Sequence, residues 1–143
     1  MGQHREFLDT WFQRVWNEND TSFIFEACDP KMTTEGHRKQ GMLGPDDFVA
    51  FHGLINNLMD NVTIKVIRSV ENGDWISGMY QVTGTKKGSD TPVEMTGNTM
   101  ACIKNGKITE VYEHVDYVKF FTCLGMMPEN TLEQCLSGTG INA

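Results

Sequence analysis

No run of apolar residues in this 143-residue chain approaches the roughly 20 that a membrane-spanning helix needs. The opening stretch, MGQHREFLDTW, has none of the apolar core of a secretory leader, so the protein is expected to stay in the cytoplasm and to have no membrane partner. Basic residues form no cluster, and 12 Lys and Arg stand against 19 Asp and Glu. With a formal net charge of -7, neither nucleic acid nor an anionic surface is an expected partner. Cysteine is sparse: Cys28, Cys102, Cys123 and Cys135 form no CxxC pair and read as buried or incidental thiols. The four histidines show no metal-ligand spacing, so no metal site is expected.

What is present suffices for one domain with its own core, since 39% of the residues are hydrophobic. Residues 3–17 predict a helix, with Phe7, Leu8, Trp11, Phe12, Val15 and Trp16 on one broad face. A short second helix runs through Phe23, Ile24 and Phe25 and ends near Asp29, because the residue before Pro30 avoids helical angles. GPDDF opens a third, with Pro45 at its first position and Asp46 and Asp47 complementing the dipole. From Val62 the period changes to two, broken only by Ile67. ENGD and KNGK are Asn-Gly hairpin turns. Strands are expected at Trp75 to about Thr83, about Val93 to Lys104, and over ITEVYEHVD, followed by a short helix that Gly125 stops. PENTLEQCLSG adds a last helical turn or two. Helices followed by antiparallel strands make the class α+β.

The last strand is the unusual one, with Glu110, Tyr112, His114 and Asp116 at every second position. A two-residue turn at Asn105-Gly106 sets Ile103 opposite Ile108, Ala101 opposite Glu110, Thr99 opposite Tyr112, Gly97 opposite His114 and Met95 opposite Asp116. Small or apolar residues then lie beneath large polar ones, which leaves room for a ligand beside titratable groups. The pattern alone leaves two readings open, a pocket or a solvated outer face.

Several segments resemble one family. VWNENDTSFIFEACDPKM is similar to its opening helices, and GPDDFVAFHGLINNLMDNVTI to its third helix and first long strand. ENGDWISGMYQVTGTKKG is similar to its hairpin, and NGKITEVYEHVDYVKFFTCLGMMP to its closing strand and helix. Over about residues 5–128 the chain resembles the SnoaL-like polyketide cyclases, within the nuclear transport factor 2-like superfamily. The resemblance implies a cone: a curved antiparallel sheet wrapping three N-terminal helices around an apolar pocket. It makes residues 1–143 a single domain with 129–143 as a C-terminal extension. It also implies a homodimer, here through the outer sheet face with Met100, Val111 and Val115. The activity implied is acid/base ring closure with no cofactor and no metal, on a small hydrophobic molecule.

Asp116 stands at the family's acid/base aspartate, and Tyr112 where an aromatic is usual. The family tends to carry a histidine where this chain has Thr99, whereas here His114 is on the partner strand. The expected catalytic pair is Asp116 as base and His114 as donor to the developing oxyanion. Each has a plainer role open to it, Asp116 as a helix cap and His114 as a structural histidine. Tyr112, Thr99, Met95, Trp16 and Phe51 are the expected substrate-binding residues. Glu110 reads as a rim residue, and His52 as a packed or exposed helix residue. The same pocket would serve a binding module or an interaction domain, and epoxide-type hydrolysis is a third possibility for the fold.

Overall fold

The computed structural model describes residues 2–33 and 44–141. Residues 142–143 of the expected extension lie outside the described residues.

The first helix, α1 (Gln3–Trp11), continues as a π-helical segment, Phe12–Asn17. Its apolar stripe is the buried one, and Leu8, Trp11, Phe12, Val15 and Trp16 are all nearly inaccessible. No local side chain caps α1. Instead the Glu71 carboxylate accepts the backbone N–H groups of His4 (3.2 Å) and Arg5 (3.1 Å). That placement satisfies two orphan donors and complements the helix dipole. The π turns present the Val15 carbonyl to His52, whose Nε2–H donates to it at 2.8 Å. Burial pushes the His52 pKa down, so the ring is held neutral as a packed residue.

After α2 (Ser22–Ala27) the chain enters a strand, β1 (Cys28–Thr33), where the sequence predicts helix to about Asp29. Pro30 is accommodated because β1 is an edge strand. Helix α3 (Pro45–Asn56) begins with Pro45 at its start, as the spacing predicts. Strands β2 (Met59–Asn72), β3 (Trp75–Lys86), β4 (Pro92–Lys104) and β5 (Lys107–Val115) follow, then α4 (Tyr117–Cys123) and α5 (Thr131–Leu136). Gly125, past the end of α4, takes φ +77°, a conformation that costs glycine little.

The sheet order is β1-β5-β4-β3-β2. Every pairing is antiparallel except β1 with β5, which is parallel. Bulges interrupt β2 between Asp60 and Thr63 and between Val66 and Arg68. Each adds bend and twist, which curves the sheet around the helices. The second bulge is why Ile67 breaks the alternation. It also settles which side of this hairpin looks inward: Val62, Ile64, Val66, Ile76, Tyr80 and Val82 are buried. Trp75, one step from Ile76, stacks instead with Tyr112 on the outer face (centroids 6.4 Å). Helix α1 lies close on the concave face; a Cβ on Gly78 would sit 2.5 Å from Leu8 Cδ2. The result is the α+β cone that the sequence predicts, with a mixed five-stranded sheet. Among the described residues, no helix is long and apolar enough to cross a membrane.

Candidate active site

Asn105 and Gly106 form the two-residue turn, both with positive φ, and Lys104 pairs with Lys107 and Ile103 with Ile108. There the simple hairpin register ends. The next pair is Cys102 with Glu110, leaving Thr109 over as a bulge. Its hydroxyl donates to the Cys102 carbonyl at 3.3 Å, bridging the interrupted ladder. Beyond it Ala101 pairs with Val111, Met100 with Tyr112, Thr99 with Glu113, Asn98 with His114 and Gly97 with Val115. One extra residue exchanges the two faces of β5.

The expected pairs Thr99–Tyr112 and Gly97–His114 therefore do not form. His114 is exposed on the outer face opposite Asn98. Tyr112 is also outside, stacked on Trp75 and donating its hydroxyl to Glu110. Asp116 follows the last residue of β5 and is exposed; its Oδ1 accepts the Lys119 N–H at 3.0 Å, capping α4. None of the three lines the internal cavity. Val111 and Val115, expected on the outer face, do line it, while Met100 remains outside.

The cavity lies between the concave face and helices α1 and α3, and Trp16, Phe51, Met95 and Thr99 are in its wall. The helices contribute an aromatic wall in edge-to-face contact, with Trp11 and Phe48 at 5.2 Å and Trp16 and Phe51 at 6.3 Å. The cavity volume is ≈ 50 Å³.

Among the described residues, the register turns one carboxyl group into this apolar space, that of Glu113. Its Oε2 accepts from the Tyr80 hydroxyl at 3.0 Å, and its Oε1 accepts from the Thr99 hydroxyl. Burial disfavours the charged form and lifts the Glu113 pKa to about 7, against the opposing pull of the two hydroxyls and of His114. Tyr80 is held from below and beside. A Cβ on Gly97 would lie 2.5 Å from the Tyr80 hydroxyl oxygen, and the Phe12 ring is 4.8 Å away. Burial and the Glu113 charge push the Tyr80 phenol pKa up, so it stays a hydrogen-bond donor. Tyr117, at the start of α4, also lines the cavity, its ring stacked on Phe121 at 5.8 Å. Burial and the Glu113 charge raise its pKa to about 12.

A carboxyl group of pKa near 7 in an apolar pocket can take and return a proton at neutral pH, which is what chemistry beside a carbonyl needs. An unbulged hairpin would put Glu113 on the outer face, opposite to Glu110, Tyr112 and His114. The signal that identifies it is its neighbours: Val111 and Val115 are β-branched and apolar, and turning them inward turns in the residue between them.

A sequence model of the SnoaL-like polyketide cyclase family matches residues 6–124. No curated protein matches the chain. Solved structures share the fold at low identity. TsrD from Streptomyces laurentii superposes with a TM-score of 0.75 at 12% identity, over 89% of this chain and 99% of that one. Wild-type IdmH from Streptomyces antibioticus gives 0.74 at 18% identity, over 87% and 99%. A protein of ketosteroid isomerase-like fold from Catenulispora acidiphila gives 0.70 at 15% identity, over 85% and 93%.

Proposed function

The chain belongs to the SnoaL-like polyketide cyclase family, and we propose that it is a cofactor-free acid/base catalyst of the cyclase/isomerase type, acting in the cytoplasm on a small hydrophobic carbonyl compound. The observation that carries this reading is Glu113, a carboxyl group raised to about 7 inside an apolar cavity. Glu113 removes a proton from the carbon beside the carbonyl. The C–H electron pair becomes the enolate double bond, and the carbonyl π pair moves to oxygen. The enolate carbon then bonds to a second carbonyl carbon, whose π pair moves to oxygen and takes the proton back from Glu113, or Glu113 returns the proton to another carbon. Tyr80 and Thr99 hold the two carboxyl oxygens, so the free lone pairs face the cavity at fixed angles.

A cavity of ≈ 50 Å³ is only a few times the roughly 10–15 Å³ needed to hold one water. This favours a compact substrate, of about one ring. The test is hydrogen–deuterium exchange beside the carbonyl of cyclic ketones. Wild-type protein should exchange faster than buffer and Glu113→Gln should not. Ketone binding without exchange would leave a binding module instead.

We propose in addition that two copies associate through the outer sheet face. Val70, Met79 and Met100 are exposed there on adjacent strands, in place of the inward-facing Val111 and Val115.

A further inference from the structure

Enolate formation places negative charge on an oxygen, and a base alone does nothing to stabilise it. The hydroxyls around the cavity divide into two kinds. Those of Tyr80 and Thr99 both donate to Glu113 and are committed to it. Tyr117 also lines the cavity, and its hydroxyl donates to no group among the described residues. Among the described residues no fully buried side-chain oxygen lacks a partner, and Tyr117 is half-buried, so its hydroxyl is accessible. The indole N–H groups of Trp11 and Trp16 belong to rings packed on Phe48 in the helical wall. Tyr117 instead lines the same cavity wall as Glu113, whose charge acts on its phenol.

We propose that Tyr117 is the second catalytic residue, donating its phenolic O–H to the substrate carbonyl oxygen as Glu113 takes the adjacent proton. The proposal rests on the reading of Glu113 as the base. The proton remains on Tyr117, and the hydrogen bond shortens as the carbonyl oxygen gains charge. Three features suit it to the task. Its ring is fixed by the stack on Phe121. It begins α4, immediately after the Asp116 cap. The elevated phenol pKa keeps it protonated throughout the range in which Glu113 titrates. This gives Asp116 a positioning role: it holds the first turn of α4, and with it Tyr117, against the cavity. The substrate class narrows accordingly to compounds whose carbonyl oxygen and acidic C–H group are adjacent, so that one molecule reaches both side chains.

Two measurements test this. In the first, exchange beside the carbonyl of cyclohexanone is followed by proton NMR. Tyr117→Phe should slow it about 10²–10³-fold, the usual effect of removing one oxyanion donor, with ketone affinity much less affected. The second needs no turnover. The para-nitrophenolate ion mimics an enolate, and Glu113→Gln removes the competing carboxylate charge. The phenolate should bind Glu113→Gln roughly 10–100-fold more tightly than the Glu113→Gln, Tyr117→Phe double variant, as expected for a hydrogen bond to a charged oxygen. Toluene should bind both equally, which shows that the cavity is intact. A fluorinated tyrosine at position 117, a stronger donor of the same shape, should tighten phenolate binding and serves if the Phe variant misfolds. Exchange that is rapid in wild type and unchanged in Tyr117→Phe would overturn the proposal while leaving Glu113 as base. Phenolate binding indifferent to Tyr117 would overturn it as well. Phenolate binding that depends on Tyr117 in a protein that exchanges no ketone would remove Glu113 as base and keep Tyr117 as the anion donor.

Discussion

Glu113 is the proposed base, and the cost of burying it is measurable. Its folded-state pKa of about 7 lies above the ordinary 4.5. The folded protein therefore holds the proton longer than the unfolded chain does. Stability should fall as pH rises from about 4.5 to about 7 and then level off, by about 3 kcal/mol in all. Glu113→Gln should flatten that part of the stability profile in urea titrations at a series of pH values. The same variant should lose exchange activity by roughly 10²–10⁴-fold. In wild type, activity should rise with pH to a plateau above about 7, because the ionised form is the base. Asp116 supplies the contrast. Its side chain caps α4 and faces solvent. Asp116→Asn should leave turnover and stability nearly unchanged, while Asp116→Ala should cost roughly 1 kcal/mol by losing the cap. A large loss of turnover in Asp116→Asn would return the base to that residue.

Among the secondary-structure elements, two local features set the site. The bulge at Thr109 decides which face of β5 looks inward. The absence of a side chain at Gly97 lets the Tyr80 ring lie across β4 and reach Glu113. Gly97→Ala would put a Cβ 2.5 Å from that ring. Tyr80 should move off Glu113, at about 1–3 kcal/mol of stability, the usual cost of overpacking. The pH midpoint of exchange should shift upward, because a hydrogen bond favouring the ionised carboxylate is lost. An unchanged midpoint would mean that Tyr80 does not tune Glu113. At this scale most of the sequence was legible. The buried stripe of α1, the Pro45 start of α3, the Asn105-Gly106 turn and the α4 stop at Gly125 follow from local chemistry, whereas in ENGD the turn sits one residue later than expected, at Gly73-Asp74, with Asn72 paired to Trp75. Strand β1 did not, because Cys28–Thr33 is short and pairs only with β5, some 80 residues away, so its signal is not local.

For the molecule as a whole, the curved sheet has a helix-covered concave face and an outer face bearing Val70, Met79 and Met100. If that outer face joins two copies, Met100→Lys should convert a dimer to a monomer in light scattering at micromolar concentration, with ketone exchange preserved. A wild-type monomer would end the proposal. The sequence by itself determined the fold class, because helical and strand periods, caps and turn residues act over a few positions and agree with one another. It also determined that β5 carries the titratable groups. Only the tertiary structure decided which of them enters the cavity. Strand side chains alternate, so one unpaired residue at Thr109 sends Glu110, Tyr112 and His114 outward and brings Glu113 in. Nothing within the hairpin sequence demands that bulge. What favours it is the burial of Val111 and Val115 against helices contributed by the other end of the chain, an energy that exists only once the sheet has closed around them.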